Sequence, residues 1–323
     1  MNRVKSSTGG VLITGGTGFA GSHLVRHLKL NAGGISVLAT GLAGSDDPDV
    51  DYYSVDIRDR ESVFSLIERL YPSTIYHLAG VSAVDVSWSK PRFTYEVNVT
   101  GTYNVFEAAM NLAKTPKVLN VSTGQVYAAS QLVLTENSLV RPDNPYAATK
   151  AMAELLTVQY SNRALGGILT ARSFNHTGPG QGSNFFLSAV AKQFVEIEHG
   201  RRPAKLVVGD IDVKRDFTDV RDIVRAYSLL VERGKMGEVY NVCSGVAVRL
   251  ADIVQLFEAK AGIRVCIEKD PNRVRLSDAR QISGDSTKLR DETGWFPVIP
   301  LEQTVEDMLS YWRSDYRAVP ISF

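Results

Sequence analysis

A short apolar run, Val11 to Ile13, leads into "TGGTGFAGSHL", where Gly15, Gly18 and Gly21 hand the chain from a strand to a helix. Beyond the turn, Leu24, Val25 and Leu28 recur at helical spacing. A tight turn, a close backbone approach to a bound phosphate and intimate helix–strand packing each favour a residue without a side chain. A helix that opens directly after such a turn aims its unpaired N–H groups and its positive dipole end at the same spot. The passage predicts the first βα unit of a dinucleotide-binding sheet, in preference to a merely structural turn.

The next segments repeat the alternation. "ISVLAT", "YYSVDIRD", "STIYHLAG" and "KVLNVSTG" read as strands. Between them, Val63, Leu66, Ile67 and Leu70 put an apolar stripe on a helix over Ser62 to Leu70. "TGTYNVFEAAMNLA" and "AMAELLTVQYS" read as further helices, and "GGILTARSF" as another strand. Buried strands alternating with helices predict an α/β fold of Rossmann type, a doubly wound parallel sheet covered on both faces. The remainder is richer in Gly, Pro and charge. Loops such as "NHTGPGQGS" and "KDPNRVRLSDARQISGDS" predict a smaller C-terminal α/β lobe over the sheet's carboxyl edge, the edge where such sheets bind ligands.

Composition removes several classes. The 36 basic and 35 acidic side chains leave a formal net charge of +1, without the basic surplus expected for a nucleic-acid or membrane-surface partner. Cys243 and Cys266 are too few for a disulfide framework or a thiolate zinc site. The N-terminus lacks the apolar core of a signal peptide, and no apolar run reaches membrane-spanning length, so a soluble, cytoplasmic protein is expected. His23 and His27 lie four apart on a helix with no third ligand, so no metal is expected there. His77, within a buried strand, reads as a hydrogen-bonded core residue.

Two features bring chemistry. "NPYAATKAMAELL" places Tyr146 and Lys150 at i and i+4, on one helix face. A neighbouring ammonium favours the phenolate, so the lysine is expected to lower the phenol's pKa while the tyrosine donates a proton to a forming alkoxide. "VSTGQVY" ends a strand on Ser122 and Thr123, a hydroxyl pair expected to meet a cavity. Asp56, at the end of the third strand, is placed to accept the adenine amino hydrogen, or else is a solvated loop carboxylate. Thr40 and Gly41 end the second strand with neither an acid to bind a ribose diol nor an arginine for a 2′-phosphate, so NADH and NADPH both stay open.

Together these residues resemble the extended short-chain dehydrogenase/reductase superfamily, whose members act on nucleotide sugars. The pattern runs through "TGGTGFAGSHL", "DIRD", "HLAG", "NVTGT", "STGQVY", "YAATK", "RDFTDVRD", "VYNVCSG" and "GWFP". "FNHTGPGQ", "GDIDVKRDF" and "DPNRVRLSD" are similar to its GDP-mannose branch of 4,6-dehydratases and 4-keto-sugar reductases. The resemblance implies a catalytic set of Thr123, Tyr146 and Lys150. It also implies a dinucleotide lined by Gly15, Gly18, Phe19, Ala20 and Gly21, then by Thr40, Asp56 and Ile57. Leu78, Ala79, Gly80 and Asn98 would follow, with Val121 and Ser173. For the nucleotide sugar it implies Gln125, Asn175, His176 (or else a residue that packs its loop) and Asn184, the last taken to open a helix. Arg215 and Arg275 would grip the diphosphate, since guanidinium groups pair with phosphate oxygens, and Asp278 would lie near the nucleotide ribose. Residues 1–174 plus about 217–246 would form the dinucleotide domain, and about 175–216 plus 247–323 the nucleotide-sugar lobe. A homodimer is implied through helices near Thr94–Ala113 and Pro145–Asn162.

Gln125 selects within that branch. Its dehydratases keep a glutamate two residues after the triad hydroxyl, and its epimerising reductases a cysteine, whereas a carboxamide cannot abstract a carbon-bound proton. No acid stands at Gly124, and both cysteines are far along the chain. The expectation is NAD(P)H-dependent reduction of the C4 ketone of GDP-4-dehydro-6-deoxy-D-mannose to GDP-6-deoxy-D-mannose (GDP-D-rhamnose). Alternatively, Gln125 fills a loop hydrogen bond while another acid is the base. A 4-epimerase that retains its NAD, or a dinucleotide-binding sensor with a retired site, would share most of these residues.

Overall fold

Every position of the first strand, β1 (Val11–Thr14), is buried, as a strand covered on both faces requires. The computed structural model describes residues 9–31, 36–42, 50–130, 132–160, 167–271 and 280–318. After β1 come α1 (Phe19–Asn31), β2 (Val37–Gly41), β3 (Asp51–Ser54), α2 (Arg60–Leu70) and β4 (Thr74–His77). Next are α3 (Val84–Ser89), α4 (Pro91–Tyr95), a π-helical turn over Glu96–Gly101, and α5 (Thr102–Met110). Then follow β5 (Lys117–Thr123), a 3₁₀ turn over Gly124–Val126, α6 (Pro145–Tyr160) and β6 (Ile168–Ser173).

Local chemistry sets these bounds. Helix α2 starts two residues before the expected Ser62 because the Asp59 carboxylate accepts from the Ser62 backbone N–H and caps it. It stops where Tyr71 turns left-handed and returns its N–H to the Ile67 carbonyl. Val63, Leu66 and Ile67 are buried against Val105, Phe106 and Ala109 of α5.

The chain continues through β7 (Asn175–Thr177), α7 (Phe186–Glu198), β8 (Lys205–Val208), β9 (Lys214–Asp219) and α8 (Val220–Arg233). It ends with β10 (Val239–Val242), β11 (Ala247–Arg249), α9 (Leu250–Ala261), β12 (Cys266–Lys269), β13 (Gln281–Ile282), α10 (Thr287–Thr293) and α11 (Leu301–Ala318).

Seven strands form one sheet in the order β10-β6-β5-β4-β1-β2-β3, and every neighbouring pair is parallel. One face is covered by α1 and α8, with Trp295 fully buried among Leu24, Ile223 and Tyr227. The other face carries α2, α5 and α6. Strand order reverses between β1 and β4, and that switch point opens a crevice at the carboxyl edge. Because all strands run the same way, Thr14, His77, Thr123 and Ser173 end at this one edge.

Over the edge lies the smaller lobe. Its strand β9 pairs with β11 in antiparallel fashion and with β13 and β7 in parallel, and β8 pairs with β12. Its own core joins α7, α9 and α11 through Phe194, Phe257 and Leu309. Among the described residues, several contacts fasten lobe to sheet. The buried Asp216 carboxylate accepts from the backbone N–H groups of Ser244, Gly245 and Gly284. The segment after β6 is tied to α1: His23 Nε2 lies 2.8 Å from the Pro179 carbonyl, and the rings of His176 and Phe19 stack 6.1 Å apart.

Candidate active site

The glycine turn is a cradle that side chains would fill. Gly15 has φ +72°, and a Cβ there would come within 2.7 Å of the Ala79 nitrogen. A Cβ on Gly21 would meet the Gly15 carbonyl oxygen at 2.0 Å, so α1 sits directly against the turn. At Gly18 the nearest atom to an added Cβ is that same oxygen, at 3.2 Å. The first turn of α1, from Phe19, leaves N–H groups without helical partners. This bare, donor-rich concavity suits the pyrophosphate of a dinucleotide.

Leu78, Ala79 and Gly80 pass beneath it. The Leu78 N–H donates to the Thr14 carbonyl and the Ala79 N–H to Thr14 Oγ1. Asn98, in the π-helical turn, anchors the chain just past Gly80: its Oδ1 accepts from the Val81 N–H at 2.7 Å, and its Nδ2 donates to the Val81 carbonyl and to Thr149 Oγ1. The turn's extra residue re-aims Asn98 toward β4 and α6, a use that π-bulges often serve at functional sites. Nothing in "VNVTGT" announces that bulge. His77 is a satisfied core residue, as expected, between Thr14 Oγ1 and Thr102 Oγ1. Burial, and then the nearby Lys150 charge, push it down to about 3.

Beside this loop stand Thr123, Tyr146 and Lys150, each at least nine-tenths buried. Thr123 Oγ1 accepts from the Gln125 N–H at 3.2 Å, and its side chain is hydrogen-bonded to Tyr146. Lys150 Nζ donates to the Val121 carbonyl at 2.9 Å, and a Cβ added to Gly80 would lie 3.4 Å from it. The structure corrects the expected lowering of the phenol. Burial pushes Tyr146 up to about 12, against the hydrogen bond from Thr123 that pulls it down. Burial also brings Lys150 down from 10.5 to about 8, opposed by the Glu154 charge. Desolvation outweighs that hydrogen bond, so Tyr146 is an intact acid at neutral pH.

Position 125 is half-buried in its 3₁₀ turn, and Gln125 Oε1 accepts from Asn144 Nδ2 at 3.4 Å. The distance of the cysteines along the chain does not hold in space for one of them. Cys243 packs with Val126, Tyr127 and Phe174 just below this turn. It is fully buried, and burial pushes its thiol well above the ordinary range, so it supplies no thiolate base. Ser122 does not face the cavity with Thr123: its hydroxyl turns to the Glu154 carboxylate on α6.

The other expected residues divide. Asp56 lies two residues beyond β3, not at its end, and Arg58 holds both its oxygens; that hydrogen-bonded guanidinium keeps the carboxyl below its ordinary range. Ile57 is buried, with its carbonyl taken by Asn104. The Thr40 carbonyl accepts from the Gly16 N–H, Ala20 packs at the core margin, and Ser173 Oγ bonds the Tyr227 hydroxyl. Asn175 is half-buried opposite Phe217. His176 has its Nδ1 on the Phe174 carbonyl. Asn184 does not open a helix: α7 begins at Phe186 after an uncapped Phe185, and Asn184 is exposed ahead of it. Arg215 is buried in β9 with Nη1 on the Lys214 carbonyl. Arg275 and Asp278 lie outside the described residues.

A glycine cradle at the switch point of a parallel sheet, beside a buried hydroxyl–phenol–ammonium set, defines an NAD(P)-dependent oxidoreductase of the short-chain dehydrogenase/reductase class. Within it, the chain belongs to the GDP-mannose 4,6 dehydratase family, whose profile matches residues 12–308. It is 34% identical over 310 residues to the GDP-6-deoxy-D-mannose reductase of Pseudomonas aeruginosa, covering 95% of this chain and 98% of that one. The structure of RMD from Pseudomonas aeruginosa complexed with NADPH superposes with a TM-score of 0.82 at 32% identity, over 94% of this chain and 99% of that one. UDP-glucose 4-epimerase from Thermotoga maritima, with UDP-glucose, gives 0.85 at 26% identity over 95% and 99%.

Proposed function

We propose that this protein reduces the C4 ketone of GDP-4-dehydro-6-deoxy-D-mannose to GDP-6-deoxy-D-mannose, using NADPH or NADH. The observation that carries the reading is a complete Thr123–Tyr146–Lys150 set beside a carboxamide. Gln125 has no basic form with which to take a proton from carbon, so only carbonyl chemistry is left. The family contains dehydratases, and the likeness to a reductase at 34% identity supports the other branch.

When bound, the nicotinamide would supply a hydride to the carbonyl carbon. Tyr146, neutral below about 12, protonates the oxygen as negative charge develops there. Thr123 Oγ1 already accepts from Gln125 N–H, so its single proton is left to donate toward the phenol or the substrate oxygen. Lys150 would hold the nicotinamide ribose and, while protonated, favours charge on the reacting oxygens. Gln125 hydrogen-bonds the sugar. The glycine turn, Thr40, Asp56, Ile57, Leu78–Gly80, Asn98, Val121 and Ser173 line the dinucleotide. Asn175, His176, Asn184, Arg215, Arg275 and Asp278 serve the nucleotide sugar. Residues 1–174 with about 217–246 hold the dinucleotide, and the rest hold the GDP-sugar.

We further propose a cytoplasmic homodimer. Met152, Leu155 and Val158 on α6, with Tyr95 and Tyr103 nearby in the chain's α4 and α5, form exposed apolar surface, and interfaces of that kind bury such residues. Among the described residues no helix is long and apolar enough to cross a membrane.

The test is direct. Incubate the protein with the keto sugar and NADPH or NADH, follow loss of absorbance, and identify the product by NMR. Turnover should exceed that of Tyr146→Phe by at least about 100-fold. Absence of oxidation above that background defeats the reading. Tightly retained NAD with interconversion of epimers and no net cofactor use would make it a 4-epimerase.

A further inference from the structure

We infer that Glu154 is a positioning residue for the catalytic set: a buried carboxylate one helical turn beyond Lys150 that locks α6 onto the end of β5 and keeps the lysine charged. Tyr146, Lys150 and Glu154 stand at i, i+4 and i+8 on α6, all buried on the face toward β5. Three consecutive residues at the end of β5 meet them. Thr123 bonds Tyr146, the Val121 carbonyl takes the Lys150 ammonium, and the Ser122 hydroxyl donates to Glu154 Oε1. The carboxylate is therefore the third fastening of one strand end to one helix face.

Its charge is held in place from the far side. Arg172 on β6 donates Nε to both oxygens and Nη2 to Oε2 at 2.7 Å, with both side chains under a tenth exposed. The guanidinium is pinned in turn by the Tyr127 hydroxyl and lies 4.7 Å over its ring. Every group pointed at Glu154 is a donor, the environment an ionised carboxylate takes.

The groups facing Lys150 leave Glu154 as its source of negative charge among the described residues. Tyr146 on the same helix is neutral below about 12. From β4, His77 is neutral above about 3. Asn98, Thr123 and the Val121 carbonyl carry no net charge. Burial lowers Lys150 to about 8, and the Glu154 charge opposes it.

The inference rests on the assignment of Lys150 above, so its readout is the lysine itself. Lysine carrying ¹³C at Cε is incorporated into the full chain, which is titrated with NADPH bound. Lys150→Arg identifies the signal by its loss. Glu154→Gln should bring the Lys150 midpoint down by about one unit or more, shift the alkaline limb of kcat by the same amount and leave KM for the sugar nearly unchanged. Glu154→Asp should restore the midpoint in part. Glu154→Gln with Arg172→Gln, which removes the guanidinium along with its partner, should show a smaller lowering in the same direction and is the readout if the single variant does not fold. A Lys150 midpoint unmoved in the variants overturns the inference. A lowered midpoint in a protein inactive on the keto sugar would sustain it while removing the proposed substrate.

Discussion

Lys150→Met separates the electrostatics of the site from its architecture. Burial takes the ammonium from 10.5 to about 8, and one unit is ~1.4 kcal/mol, so the charged lysine costs the fold about 3 kcal/mol at neutral pH. Methionine keeps the apolar stem and removes the charge, but it also removes the donor to the Val121 carbonyl, a loss of about 1–3 kcal/mol. The two effects nearly offset at pH 7, leaving a gain of about 1 kcal/mol, so pH dependence is the sharper observable. Below pH 8 both folded and unfolded chains hold the lysine proton, and the penalty is constant. Between pH 8 and 10.5 the folded chain has released it while the unfolded chain still binds it. More protons on the unfolded state mean that the parent's stability rises with pH across this window. Methionine has nothing to titrate. The difference in unfolding free energy, variant minus parent, should therefore fall by about 3 kcal/mol between pH 7 and 10.5. Urea denaturation without dinucleotide, at four pH values across that interval, measures it. Parallel curves would show that the buried lysine is not desolvated as the packing implies.

Other perturbations test other parts of the site. Gln125→Glu puts an acid two residues beyond Thr123, where the resemblance implies a dehydratase base, and should exchange solvent deuterium into the sugar beside the ketone, read by mass spectrometry; no exchange would place the base elsewhere. Gly21→Ala drives a Cβ to 2.0 Å from the Gly15 carbonyl, which should weaken NADPH binding by at least about tenfold and lower stability by about 1–3 kcal/mol, measured by fluorescence titration and thermal melting. Leu155→Glu with Val158→Glu charges an exposed apolar strip on α6 and should convert the proposed dimer to a monomer in analytical ultracentrifugation, with the fold intact by circular dichroism.

The local repeats of the sequence were enough for the sheet's inner strands and its covering helices. Buried parallel strands must be apolar throughout, and surface helices must show a stripe, so Val11–Thr14 and Val63–Ile67 carry their structure in their own spacing. Likewise the glycine turn and the Tyr146–Lys150 pair depend on contacts within a few residues. Bounds were less legible where a cap decided them. Asp59 moved the start of α2 two residues earlier, and Phe185 stands where Asn184 was expected to open α7.

What the sequence settled by itself is the chemical inventory: a phenol and an ammonium one turn apart, a hydroxyl at a strand end, and an amide two residues beyond that hydroxyl. Tertiary structure alone decided the state of that inventory. Burial made Tyr146 a firm acid rather than a ready phenolate. The fold brought Cys243 under the Gln125 turn but inert. It turned Ser122 from the cavity to Glu154, and closed Arg172 around that carboxylate from 18 residues away. Desolvation and pairing are sums over neighbours from distant segments, and no local pattern in a chain records which neighbours those will be.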